Sequence, residues 1–353
     1  MFKFLLSLST LIVSTCICAS TYAATDKFDY AVLLQYHHVD DSTPPITSVS
    51  KETLAEHLKL VKDEGFQVLP LPEVIDTLKS GGHFKQPTAV ITFDDAYDSI
   101  YTNGFPLLKK YNWPFTIFIA PKPVEERFGG TLSWDQIKTM QDYGATMVNH
   151  SYQHDYLVRR LEGESKAQWL DRIKNDAEKA QRILEEKLGP LPKYMAYPFG
   201  EFDEDLKQLM NDMGYIAFGQ QSGPINSSSD FLALPRFPAS GIYANVKTLK
   251  TKLNSEPFKL IEQRPNADVL QTGNSVPVFT LKVKDGDFRK HQVQCFYSGK
   301  PVQTNVTTEQ DTVTITATAG GTLSEGRSRY NCTAPHTSGS HYFWHSITFV
   351  TQS

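Results

Sequence analysis

The stretch "VITFDDAYDSIY", residues 90–101, runs a mostly apolar strand-like segment straight into two adjacent acids, Asp94 and Asp95. Paired carboxylates at the end of a buried strand are costly, because like charges repel and desolvation raises both pKa values. Such a pair implies a cation beside it. Similar strand-like runs, "YAVLLQY" (30–36), "TAVITF" (88–93), "FTIFIA" (115–120) and "ATMVN" (145–149), alternate with helical patterns. One helix is expected over residues 50–64, with Leu54, Leu58 and Val61 on one face and Gly65 as its stop. Another is expected over residues 165–188, carrying Trp169, Ile173, Ala177, Leu184 and Leu188 ahead of Gly189 and Pro190. Strand and helix in alternation mean a parallel sheet, open or closed into a barrel.

Residues 1–23, "MFKFLLSLSTLIVSTCICASTYA", place one lysine before an apolar run, with Thr21 and Ala23 at signal-peptidase spacing. The expectation is an export signal cut after Ala23. The run is shorter than the roughly 20 residues of a spanning helix, and Thr15 and Ile17 are poor residues to precede a lipidated Cys16 or Cys18. The chain is thus expected to be exported, periplasmic or secreted, with no transmembrane segment. Of the four cysteines, Cys295 and Cys332 remain after cleavage, and an even pair in an oxidising compartment reads as one disulfide. Without Lys3 the balance is 34 basic against 39 acidic residues, a net charge of −5. That argues against a nucleic-acid partner and suits a neutral or cationic substrate.

About 330 residues after the signal are more than one core usually holds. Composition changes near residue 265, giving an α/β unit over 24–264 and a smaller unit over 265–353. Beyond "EQRPNADV" the helical period is lost, and "VPVFTLKVK", "HQVQCFY", "TVTITATA" and "YFWHSITFV" are separated by Gly, Asp, Asn and Ser. That pattern suggests a β-sandwich. Its role is open between a carbohydrate-binding module, a structural cap and a docking domain, and the first unit is expected to carry the chemistry alone.

In a β/α barrel the catalytic groups sit at the C-terminal ends of the strands, where Asp94 and Asp95 fall. "ATMVN" ends at His150, and "SYQHDY" follows with His154. Two histidines four apart and a carboxylate from another strand form a mixed set suited to zinc or a similar divalent ion. Three protein ligands leave positions open for water and substrate. One acid would bind the ion, and the other, kept ionised by it, would accept a proton.

"TFDDAYDS" and "HSYQH" resemble the first two motifs of NodB-type polysaccharide deacetylases, carbohydrate esterase family 4, over about residues 28–262. The resemblance implies a distorted (β/α) barrel and hydrolysis of the N-acetyl group of GlcNAc-containing glycans, releasing acetate. It also implies Asp94 as general base and Asp95, His150 and His154 as ligands of Zn²⁺, with Co²⁺ or Ni²⁺ as alternatives. "AYPFGEFDED" is similar to the third motif through Pro198, Phe199 and Gly200, but Ala196 stands where that motif has an arginine. "LPRFPAS" and "LLQYHHVDD" resemble the poly-β-1,6-N-acetylglucosamine deacetylase branch, which directs attention to Arg236 and His37. Arg236 is expected either to take the missing arginine's place beside Asp94 or to form a surface ion pair. No histidine lies between His154 and His291, so the family's late catalytic histidine has no counterpart. His37 becomes the candidate acid, with His38 as the alternative and as a substrate contact. Tyr197, Pro198 and Phe199 are expected to line the substrate site, while Trp134 has no assignment. Other readings are a deacetylase of chitin oligomers, peptidoglycan or O-acetylated glycan, or a catalytically lapsed glycan-binding protein. Oligomeric state is not legible.

Overall fold

Strands β1 (Tyr30–Tyr36), β2 (Thr88–Phe93), β3 (Thr116–Ile119), β4 (Thr146–Asn149), β5 (Tyr194–Ala196) and β6 (Ile216–Phe218) lie side by side, in chain order and parallel. This is a computed structural model, and it describes residues 28–339 and 341–352. The expected leader, with Cys16, Cys18 and Ala23, lies outside the described residues. Every residue of β2 and β3 is buried, as expected of parallel strands covered on both faces.

The expected helices are present. In α1 (Lys51–Asp63) the Ser50 side chain accepts from the Thr53 amide, and Leu54, Leu58 and Val61 are buried. In α2 (Lys166–Leu188) Ser165 and Gln168 form a reciprocal cap, and Trp169, Ile173, Ala177 and Leu184 face the core. Such caps satisfy amides that the first helical turn leaves unpaired.

The sheet curls until its two edges share one segment. Leu234 bridges Phe218 of β6, while Phe237 and Pro238 pair with Leu34 and Gln35 of β1. Residues 234–238 therefore bring the sheet toward closure as a distorted barrel. The C-terminal ends of β1, β2, β4 and β5 then open on one rim, which sets where the functional side chains converge.

After α3 (Val246–Leu253) the chain is β-rich. One sheet contains β7 (Ser255–Pro257), β9 (Val269–Gln271), β11 (Gln294–Tyr297), β12 (Lys300–Pro301), β15 (Gly326–Pro335) and β16 (Tyr342–Gln352). The other contains β8 (Leu260–Arg264), β10 (Phe279–Lys284), β13 (Gln303–Glu309) and β14 (Thr312–Thr318). Phe279, Leu281, Val313 and Ile315 of the second sheet pack with Tyr330, Ala334, Ile347 and Phe349 of the first. Cys295 and Cys332 sit directly opposite each other on β11 and β15 and are disulfide-bonded, both buried. β7 and β8, which precede the 264/265 junction that composition suggested, already belong to these sheets. Their short polar sequences, "SEP" and "LIEQR", carry no alternation that would reveal them. Trp344 of β16 stands edge-on to Phe237 with centroids 5.2 Å apart, joining the two units. No helix among the described residues is long and apolar enough to cross a membrane.

Replacing both cysteines with alanine should cost about 2–5 kcal/mol, read by denaturant unfolding of oxidised and variant protein. A pH effect is also expected from the imidazole of His345, which burial pushes down from 6.5 to about 4. Between those values the unfolded chain binds more protons than the folded one, so stability is complete above 6.5 and declines as pH falls toward 4. Thermal melts across that window should show the decline, and His345→Gln should flatten it.

Candidate active site

Asp94 follows β2 and is completely buried. Arg236, equally buried, donates from Nη1 to Asp94 Oδ1 at 2.6 Å and from Nη2 to Oδ2 at 2.9 Å. The barrel-closing segment thus carries this guanidinium inward, and Arg236 takes the first of its two expected roles. Gln35 adds a hydrogen bond from Nε2 to Asp94 Oδ2 at 2.7 Å. Three of the carboxylate's roughly four acceptor positions are then filled. Burial pushes the Asp94 carboxyl up, but Arg236, His150 and His37 together outweigh it and the net shift is downward. Asp94 is held ionised and aimed.

Gln35 and His37 lie two apart at the end of β1, so both side chains take the same face. His37 Nε2 is 3.8 Å from Asp94 Oδ2, and its side chain retains 16% exposure. His38 takes the other direction. Its ring is stacked on Tyr97 at 3.5 Å and is nearly buried, so it offers no free face to a substrate. Burial first, and the Asp95 carboxylate second, push the Tyr97 hydroxyl up.

Asp95, His150 and His154 offer ligand atoms that all lie within 4.8 Å of one another. The two Nε2 atoms stand 3.3 and 3.0 Å from Asp95 Oδ1. Burial pushes the Asp95 carboxyl up, but His150, His154 and His37 together outweigh it and hold it well below the usual range. His150 Nδ1 donates to the Ala196 carbonyl at 2.7 Å, so in the neutral ring the lone pair is on Nε2 and faces Asp95. An acceptor nitrogen against an acceptor oxygen is unfavourable without something between them. Asp95 Oδ1 is indeed buried without a hydrogen bond. These residues fit a divalent cation.

The backbone around them is held in an uncommon conformation. Asp95, Ala96, Ser151, His154 and Phe199 all have positive φ, between 55° and 68°. Non-glycine residues enter this region only when surrounding contacts enforce it. For the histidine loop those contacts are visible. Asp176 of α2 accepts from the Tyr152 amide at 2.7 Å, Asn149 from the Ser151 amide at 2.8 Å, and Ser151 Oγ from the His154 amide at 3.0 Å.

Phe199 presents its ring edge-on to His154, with centroids 4.7 Å apart, and stacks on the half-exposed Tyr156 at 3.9 Å. The expectation for Tyr197 is corrected. Its ring is wholly buried against Phe202, its hydroxyl donates to the Leu232 carbonyl at 2.9 Å, and its amide donates to Phe218 at 3.0 Å. It is core, and its N–H is already used. Pro198 is buried too and has no N–H, which leaves Phe199 as the partly exposed member of this trio. Trp134 packs against the barrel core with Lys187 over its ring.

Residues 81–218 match the family model described as polysaccharide deacetylase. This match covers 138 of the 353 residues, and the likeness to that family lies in the barrel. A poly-β-1,6-N-acetyl-D-glucosamine N-deacetylase of Escherichia coli (strain K12) is 23% identical over 311 residues, covering 75% of this chain and 46% of that protein. A Staphylococcus aureus (strain MSSA476) protein with the same name is 26% identical over 194 residues, covering 54% of this chain and 67% of that one. The chain spans about half the length of the Escherichia coli relative. Among solved structures, the Streptococcus pyogenes deacetylase PplD in complex with acetate superposes with a TM-score of 0.57 at 23% identity, over 65% of this chain and 99% of that one. IcaB from Ammonifex degensii gives 0.56 at 24%, over 64% and 97%. These superpositions bear out the NodB-type fold.

The C-terminal unit has a second group of ligand-type side chains, Glu256, His336 and His341. There the Ser338 amide donates to His336 Nδ1 at 3.1 Å. The neutral ring then carries its proton on Nε2 and has no free lone pair. The Asp95 group is the better cation site.

Sequence reading missed Gln35, Asn149, Tyr156 and Asp176. Alternation from His37 would have found Gln35. Nothing in the pattern of α2 distinguishes Asp176.

Arg236→Met should strand the buried Asp94 carboxylate and lower stability by about 3–5 kcal/mol in urea unfolding. Arg236→Lys should recover little of this, because an ammonium cannot bind both oxygens in parallel. The folded pKa of Asp94 lies below its ordinary 3.8. The pair's contribution is therefore present above that value and lost as pH falls through the folded one, so the variants should converge with wild type in strong acid.

Proposed function

We propose that the chain is an exported, metal-dependent N-deacetylase that removes acetyl groups from a GlcNAc polymer and releases acetate. The observation that carries this reading is the convergence of Asp95, His150 and His154 on an unbonded, buried carboxylate oxygen, beside an Asp94 locked by Arg236. A divalent ion held by the three ligands, zinc before cobalt or nickel, would supply Lewis acidity toward an acetamide carbonyl and toward water. Asp94 is the base: it receives the proton of the attacking water while Arg236 and Gln35 keep its orientation fixed. His37 is the acid, delivering a proton to the departing amine, which cannot leave as an amide anion. Phe199 forms a wall for the sugar, and its amide is the candidate in this turn for holding the developing oxyanion. The names of the relatives favour β-1,6-linked poly-GlcNAc as the polymer. The guanidinium that the third motif lacks is supplied at Asp94 by Arg236, which removes one ground for reading the site as lapsed.

Acetate release should be measured from β-1,6-GlcNAc oligomers, with chitin oligomers, peptidoglycan and an O-acetylated glycan as comparators. Release from the first that stops on chelation supports the reading, and no release from any of them by metal-loaded protein sinks it. Asp94→Asn should retain the metal and lose roughly 10²–10⁴ in turnover, whereas Asp95→Asn should lose metal in elemental analysis. His37→Ala should lower turnover by about 10-fold or more without changing metal content, and His38→Ala should be mild.

A further inference from the structure

The Phe199 turn is held from outside the barrel. Arg327, on β15 of the C-terminal unit, donates from Nη1 to the Phe199 carbonyl and to Gln220 Oε1, the latter at 3.0 Å. The two acceptors are themselves packed together. Gly200, at φ 67°, lies so close to Gln220 that a Cβ there would come within 2.6 Å of the glutamine side chain. Glu201 is buried just beyond, and Arg159, 3.6 Å from its carboxylate, covers Tyr156 with its guanidinium 3.6 Å from the ring centre. Tyr156 in turn stacks on Phe199. The left-handed Phe199 is thus fixed through its ring by Tyr156 and through its carbonyl by an arginine from the other unit.

Two residues along β15, Arg329 donates to the Tyr243 hydroxyl. It joins the units as well but does not touch the Phe199 turn.

We propose that the C-terminal β unit is a working part of the deacetylase cleft, with Arg327 as a positioning residue that holds the Phe199 turn against His154. This rests on the deacetylase reading, and it revises the expectation that the barrel carries the chemistry alone. The chemical reason is leverage. The turn bears both the wall for the sugar and the candidate oxyanion amide, and a 1 Å displacement of such groups can cost about 10²-fold in rate.

The test compares Arg327→Ala, Arg327→Lys and Arg329→Ala in the full chain, by hydrogen exchange over residues 197–201, metal content and acetate release. Arg327→Ala should speed exchange in the turn and lower kcat/KM by about 10-fold, with metal content unchanged. Arg327→Lys should recover part of both, and Arg329→Ala should leave both at wild-type levels. Unchanged exchange in Arg327→Ala overturns the proposal. So does an equal loss of activity in Arg327→Ala and Arg329→Ala, which would mean that only docking matters. If Arg327→Ala does not fold, the Lys variant carries the comparison against Arg329→Ala by the same criteria. A wild-type protein without acetate release would defeat the functional reading instead, and the exchange result would still decide whether Arg327 holds the turn.

Discussion

The paired hydrogen bonds between Arg236 and Asp94 constrain both the fold and the site. A charge pair with no solvent exposure has a large desolvation cost, so it is retained only where geometry and further hydrogen bonds offset that cost. Here Gln35 fills a further acceptor position on Asp94, and the Gly219 carbonyl accepts from Arg236 Nε at 3.0 Å. The same five residues that bring Arg236 inward link the first and last strands of the barrel sheet. Closure and the ionisation state of Asp94 are therefore two readings of one arrangement. It follows that a guanidinium reaching this carboxylate need not come from the end of β5, where Ala196 stands.

The metal-type ligands depend on a different kind of constraint. Their loops contain non-glycine residues in the left-handed region, each costing of order 1–3 kcal/mol. Asp176, Asn149 and Ser151 hold the histidine loop, and packing on Tyr156 and Gln220 holds the Phe199 turn. The rigid support lies in α2 and in the strand ends, while the groups suited to chemistry lie on short strained links. Such an arrangement sets ligand positions before any ion arrives, at the expense of local stability.

Much of this was legible in the residues. The two helices show their period and their caps, the barrel strands their apolar runs, and the disulfide its even count. The trio of Asp95, His150 and His154 is legible because each member follows a strand, and strand ends converge. Alternation lets only one of His37 and His38 face the site, and the family resemblance selects His37. The remainder depends on distance along the chain. Tyr197 looks like a cleft aromatic by its neighbours Pro198 and Phe199, but only the fold shows that its hydroxyl meets Leu232. Arg327 lies 128 positions beyond Phe199, and nothing in the sequence of β15 sets it apart. β7 and β8, which precede the 264/265 junction, are too short and too polar to show a period.

β16 pairs with β7, β9 and β15. It is synthesised after all of them. The C-terminal unit therefore cannot close as it emerges, and β7, β9 and β15 wait with unpaired edges until residues 342–352 arrive. Unpaired edges are where chains associate wrongly. Cys295 can meet Cys332 only after 37 more residues have been made, so the covalent link also forms late. In the barrel β1 to β6 pair in chain order, and the outer edge of β1 waits for residues 234–238. The two units thus carry unpaired strand edges over different stretches of synthesis, the first until residues 234–238 and the second until residues 342–352.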